Sequence, residues 1–339
     1  DKKMLTATAK KVLRRELKLK ISKLSERLDD VLDWRSDGNI EWENFVVAKL
    51  KRGTLMIHPE ISLIRNDFLD SEDHRRLWHL LDKWVRSKIC DGLSSLIACE
   101  NIDACASVRA ILYCLGKGCG IVARSEVSQQ VAKLSRADRK ILNKLGIRLG
   151  RNSIYMPISL KPIAMSIRAK LWRIWFDGLD IVPTPKAGIV TFELNASIDI
   201  DVQKRFLMFL GYHIFKEKSN FIAVRVDMSE RIANYAWMVG RSKPFLIDAT
   251  LMSFAGAQIN RVEAILYGLG FKSHDRDGER FFQPSEYRKR NNPVPVVDTI
   301  PTLPLDFIYG SHKKRDVLKG RSSSEVDDSP FSVLKCLKD

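Results

Sequence analysis

Apolar residues recur along the chain at helical intervals over long stretches, broken by short segments of another period. Leu13, Leu17, Ile21, Leu24, Leu28 and Val31 follow one another at spacings of three and four, which predicts a helix over residues 9 to 34. Its opposite face carries Lys10, Lys11, Arg14, Arg15, Lys18, Lys20, Lys23 and Arg27. From Ser71 to Cys119 the helical period continues: Leu77, Leu80, Leu81, Trp84, Val85 and Ile89 form one stripe, and Val108, Ile111, Leu112 and Leu115 form another. At least two packed helices are expected there.

Further on, one local arrangement recurs. A short amphipathic helix ends in Leu-Gly and passes directly into an apolar residue that opens a hairpin, at Leu145-Gly146-Ile147, Leu210-Gly211-Tyr212 and Leu269-Gly270-Phe271. Glycine adopts the left-handed conformation that closes a helix at no steric cost, so each site predicts a C-cap followed by a strand. In the last copy, residues 248 to 255 read as a helix, Gly256 as a turn, and Ile259, Val262, Leu266 and Leu269 as a second helix. Strands over 271 to 274 and 279 to 283 then flank Asp277-Gly278, a favoured hairpin turn. Helix, turn, helix and hairpin together outline a winged helix. The middle copy repeats the theme with a helix over 202 to 210 and strands over 212 to 215 and 221 to 226.

The expected fold class is α+β, mostly α, with a helical region followed by helix-hairpin and winged-helix-like units. The expected segments are a helical region over 1–120, a basic helix-hairpin unit over 121–180, winged-helix-like units over 181–283 and a flexible tail over 284–339. That tail is punctuated by Pro293, Pro295, Pro301 and Pro304. At 339 residues the chain is long enough for two or three compact units.

Charge alters this picture more than composition does. The formal net charge of +16 makes a polyanion the first partner to consider. The excess concentrates between Arg124 and Arg173, where twelve Lys and Arg residues face only Glu126 and Asp138. Density of that kind repels itself unless an anion offsets it. The binding residues expected from it are Arg136, Arg139, Lys140, Lys144, Arg148, Arg151, Lys161 and Arg168. From the last winged-helix outline come Arg261, Lys272 and Arg276, with Asn260, His274 and Arg280 beside them. Tyr155, between strand neighbours, is read as core rather than as a base-stacking residue.

Catalytic and metal signatures are missing from the sequence. Gly116-Lys117-Gly118-Cys119-Gly120 lacks the spacing of a triphosphate loop and reads as a helix-ending turn. There is no Gly-x-Ser-x-Gly elbow and no His-Glu-x-x-His pair, and the six His residues are scattered. Five of the six cysteines fall between Cys90 and Cys119 without a Cys-x-x-Cys pair, and read as buried helical thiols rather than as metal ligands. Ser71-Glu72-Asp73-His74 reads as a helix start capped by Ser71. No run of about 18 apolar residues predicts a membrane span, and the N-terminus has no signal-peptide core, so no membrane partner and a cytoplasmic location are expected. A chain opening on Asp1, with Met4 close behind, reads as a fragment, a processed product or a start at Met4.

The residues Leu134 to Pro162 (LSRADRKILNKLGIRLGRNSIYMPISLKP) and the patch Arg168 to Trp172 (RAKLW) carry a resemblance. They are similar to the post-motor C-terminal region of bacterial, alphaproteobacterial-type DEAD/DEAH-box RNA helicases related to the mitochondrial-degradosome helicase. In that family a Leu-Gly-x-Arg-x-Gly segment leads through Ile-Tyr-x-Pro into Leu-x-Lys-Pro and a Leu-Trp helix. Leu145, Gly146, Arg148, Gly150, Ile154, Tyr155, Pro157, Leu160, Lys161, Pro162, Leu171 and Trp172 occupy those places. The likeness extends to Arg75–Leu96 upstream and to the two later Leu-Gly units, covering most of residues 60 to 283.

The resemblance implies an RNA-binding accessory region beside an ATP-dependent motor, and a helicase motor or a degradosome nuclease as partner. The departure is the motor itself: this chain contains no phosphate loop, so ATP and Mg²⁺ belong to the parent helicase and no cofactor is expected in this chain. The rival expectation is a protein-interaction scaffold that docks a nuclease or ribosomal partner.

Overall fold

The computed structural model describes residues 2–24, 27–66, 69–99, 102–176 and 182–285. The chain divides into two compact units. One draws on residues up to Cys90 and on the stretch from Lys170, the other on Asp91–Ala169 and the stretch from Ile181.

The first unit opens with helix α1 (Lys2–Leu24) and the single turn α2 (Leu28–Val31). An antiparallel sheet follows in meander order, made of β1 (Leu32–Trp34), β2 (Asn39–Trp42), β3 (Phe45–Leu55) and β4 (His58–Leu63). This sheet corrects the expected helical region. The helix predicted to run to residue 34 ends at Leu24, because Leu32 and Trp34 are drawn into register with Trp42 and Ile40 around the turn at Asp37-Gly38. Asp37 accepts from the Asn39 backbone N–H at 2.9 Å, and Gly38 takes φ +86°.

Helix α3 (Ser71–Ile97) comes next and is kinked at Leu93. Its cap is Asp70 rather than the expected Ser71. The Asp70 carboxylate accepts from the backbone N–H of Asp73 and Glu72 at 2.8 and 3.1 Å. The Lys18 ammonium, followed by the Asp73 backbone bond, holds the Asp70 pKa down to about 2. Part of the cationic face of the first helix is thereby neutralised within the unit, since Lys18 pairs with Asp70 and Asp73 and Lys20 with Glu43.

The second unit repeats one topology. Its first copy runs α4 (Ala106–Lys117), β5 (Ile121–Ala123), α5 (Ser128–Ala132), α6 (Arg136–Lys144), β6 (Arg148–Leu149) and β7 (Ser153–Tyr155). The sheet order β5-β7-β6 places the first strand against the last, which is the winged-helix arrangement. The second copy has α7 (Pro162–Trp175), of which the residues up to Ala169 belong to this unit, β8 (Thr191–Glu193), α8 (Ile200–Leu210), β9 (Tyr212–Glu217) and β10 (Asn220–Arg225), again with the first strand against the last in the order β8-β10-β9. A turn replaces its middle helix. The buried Gln203 side chain accepts from the Asn195 N–H and donates to the carbonyls of Asn195 and Ile198.

The third copy has α9 (Val226–Gly240), α10 (Ala249–Ala255), α11 (Ile259–Gly268), β11 (Phe271–Arg276) and β12 (Glu279–Pro284). Its first strand is reduced to a bridge between Phe245 and Phe282, closed by two backbone bonds of 2.9 and 2.7 Å. The fold is therefore α+β and mostly α, and the hairpin expected at Asp277-Gly278 is present with both residues at positive φ. The three Leu-Gly sites are also as expected, with Gly146, Gly211 and Gly270 at φ +76°, +99° and +80°.

Copies two and three share a core built on Phe215, Ile222, Ile232, Leu251, Ile265, Phe271 and Phe282. The first copy is joined to them by Ile121, Tyr155, Leu160 and Val226, which places Tyr155 in the core. Most of the expected tail lies outside the described residues, from 286 onward. Of the cysteines, Cys99 and Cys119 are buried, whereas Cys90 and Cys105 are exposed, contrary to the expectation for those two.

Candidate nucleic-acid interface

Helix α6 occupies the position that, in a winged helix, enters a nucleic-acid groove. It begins in a capping box: Ser135 Oγ accepts from the Asp138 N–H at 3.1 Å, and the Asp138 carboxylate accepts from the Ser135 N–H at 2.9 Å. Its inward side is anchored by the buried Leu142. Arg136, Lys140 and Lys144 stand at i, i+4 and i+8 and are exposed, so they form one stripe. Arg148, on the edge strand β6, joins that run by donating to Asn143 Oδ1 at 3.0 Å. Among the described residues no carboxylate pairs with any of these four side chains.

Beside this stripe lies a cleft of about 540 Å³ lined by Arg124, Ser128, Val131, Arg139, Arg151 and Asn234, among others. Arg124 donates to the Gly150 carbonyl at 2.6 Å and Arg139 to the Val131 carbonyl at 3.1 Å. Arg151 donates to Asn234 Oδ1 at 2.9 Å and lies 4.8 Å above the Trp237 ring. Burial lowers the guanidinium pKa of both Arg124 and Arg151, with Glu230 pulling the other way.

The turn between β6 and β7 is held from behind. Glu230 on α9 is buried and accepts from the backbone N–H of Arg151, Asn152 and Ser153 at 2.6, 2.7 and 2.8 Å. Burial raises its pKa, while these three bonds and Arg124 oppose the rise. Gly150 makes room for it, since a Cβ there would meet the Glu230 carboxyl carbon at 2.6 Å. Next to it, His213 of β9 bridges Ser153 Oγ at 2.7 Å and Ser229 Oγ at 2.8 Å, so one polar chain links all three copies. Burial pulls His213 down to about 4.

Four expected binding residues are placed differently. Arg168 is fully buried and cannot reach a ligand: it donates to the carbonyls of Ser159 and Leu210 at 3.2 and 3.1 Å and to that of Phe209. Two of these carbonyls end α8, where a cation completes groups the helix leaves open. Arg261 is held by Glu193, with Glu217 at 3.7 Å. Arg276 is exposed but lies 3.4 Å from Asp277, and Arg280 is paired with Glu263 and Asp275 at 3.0 Å each. Lys272 and Lys161 are exposed, and among the described residues no hydrogen bond or ion pair joins either to the α6 stripe.

Glu230, His213, Asn234 and Trp237 were not legible as site residues, because each lies more than fifty positions from the loop or cleft it supports. Among the described residues no group of His, Cys, Asp and Glu side chains converges as metal ligands would, and no helix is long and apolar enough to cross a membrane. No protein-family model matches the chain, and no curated protein and no solved structure matches it either.

Proposed function

We propose that the first winged helix of the second unit grips the phosphate backbone of RNA, as the accessory region of an ATP-dependent helicase whose motor motifs this chain does not contain. The observation that carries this reading is the row of Arg136, Lys140 and Lys144 on helix α6, continued by Arg148 on β6, with which no carboxylate pairs among the described residues. Cations that contact phosphates supply affinity without sequence choice and release counterions, so binding weakens steeply with salt. The corresponding helices of the other copies are unsuited to the task. In α8 the run Phe206–Leu210 is buried, and α11 has its arginine tied to carboxylates.

The test is filter binding of a single-stranded RNA by the full chain carrying Arg136→Glu, Lys140→Glu, Lys144→Glu and Arg148→Glu. Affinity at about 0.1 M salt should fall more than tenfold, and the log-log salt slope should flatten by roughly 0.7 for each contact removed. Unchanged affinity with unchanged slope would overturn the reading.

A second reading, docking of a protein partner, draws support from the third winged helix. There Ile259 and Tyr267 stand exposed on α11 beside neutralised arginines. It predicts an association that is insensitive to salt and abolished by Ile259→Asp.

A further inference from the structure

The arginine cleft differs in kind from the open stripe on α6. Its three guanidiniums converge on one concavity, and each is steered by a neutral acceptor rather than by a carboxylate: a carbonyl of the wing turn for Arg124, a carbonyl of α5 for Arg139 and the Asn234 amide for Arg151. A guanidinium carries five N–H donors, and only one on each is engaged among the described residues. Arg151 is fixed further by lying over Trp237. The acid whose field reaches Arg124 and Arg151 is Glu230, and its carboxylate is occupied by three backbone amides. Three positive groups, two of them partly buried, thus share one concavity with at most one negative charge beneath them among the described residues, an arrangement that an anion would offset.

The shape selects among anions. Val131, Ala132 and Leu149 give the cleft apolar walls, while Ser128 and Asn234 add neutral polar groups. About 540 Å³ is room enough for a compact group such as one nucleotide end. A terminal phosphate carries a charge of about −1.5 to −2 and three free oxygens, enough for three forked donors, whereas a phosphodiester within a strand offers one charge and two such oxygens. Arginine is the side chain whose planar fork matches that geometry.

We propose that this cleft binds a terminal phosphate of an RNA strand, so that the protein distinguishes a phosphorylated strand end from a hydroxyl end. The proposal rests on the reading that the first winged helix binds RNA, with the α6 stripe holding the body of the strand and the cleft its end.

One oligonucleotide sequence in three forms tests it, with hydroxyls at both ends, a phosphate at the 5′ end or a phosphate at the 3′ end, each titrated with the full chain by fluorescence anisotropy. One phosphorylated form should bind at least about tenfold more tightly than the hydroxyl form. Arg139→Gln, alone and with Arg124→Gln, should bring that ratio to about one. Arg139→Gln is the gentler change, because the side chain is exposed and holds only the Val131 carbonyl. The glutamates substituted into the α6 stripe should instead weaken all three forms together and preserve the ratio.

Equal binding of the three forms, or a ratio that survives both substitutions, overturns the proposal while leaving RNA binding in place. If no form binds, the reading of the α6 stripe falls first, and calorimetry with nucleoside 5′- and 3′-monophosphates against the unphosphorylated nucleoside decides the cleft by itself. Uptake of a monophosphate that Arg139→Gln abolishes supports the cleft, and no uptake overturns it.

Discussion

Glu230 and Gly150 show how two residues eighty positions apart determine one turn. Removing the carboxylate leaves two buried backbone N–H groups and one partly buried one without an acceptor, at about 1–3 kcal/mol for each unsatisfied buried group. Glu230→Ala should therefore destabilise the protein by about 3 kcal/mol or more, read as a lower urea midpoint. Gly150→Ala should cost about 1–3 kcal/mol through the collision of its Cβ with that carboxylate and with the Ser153 carbonyl.

His213 makes stability depend on pH. Its pKa falls from 6.5 to about 4 on folding, so between those values the unfolded chain binds more protons than the folded one. The contribution is complete above pH 6.5 and is lost as pH falls toward 4, up to about 3 kcal/mol. His213→Gln should flatten the urea midpoint across that window; equal slopes in variant and parent would assign the effect to other groups. Arg148 and Gly150 can be picked out from the sequence. Their partners could not, because side-chain contacts across eighty positions leave no local pattern.

Three helices share one topological position, and their solvent faces differ. Helix α6 is polar around a single buried Leu142, α8 is packed on most of its surface, and α11 ties its arginine to Glu193. Lys272→Glu with Arg276→Glu in the third hairpin should accordingly change RNA affinity by less than about twofold, whereas on the proposed reading the α6 reversals should remove most of it. Ser135→Ala should loosen α6 by about 1 kcal/mol through loss of its cap, measured as a lower thermal midpoint.

Element boundaries were legible where the signal is local. The left-handed glycines that close helices, and the Asp277-Gly278 turn, are set by backbone sterics within a few residues. The helical period does not announce the first sheet, although Asp37-Gly38 and the alternation of Leu32 with Trp34 and of Ile40 with Trp42 mark a hairpin. Leu28 and Val31 continue the helical period of the preceding stretch and hid the change.

At the scale of the molecule, the positive charge proves unevenly available. Cations of the first unit such as Lys18 and Lys20 are paired internally, as are Arg261 and Arg280 of the third winged helix, and Arg168 is consumed by the core. The remaining free charge of the described residues includes the face of the first winged helix, where a polyanion would meet it. Composition and periodicity determined the class of fold, the three helix-to-hairpin junctions and the segment rich in cations, because these follow from backbone preferences and charge counts within short windows. Which of those cations faces solvent, which ends a helix and which lines a cleft was decided only by the tertiary structure. Burial and pairing depend on neighbours that the linear order keeps far apart, and a guanidinium reads the same in sequence whether it meets a carbonyl, a carboxylate or water.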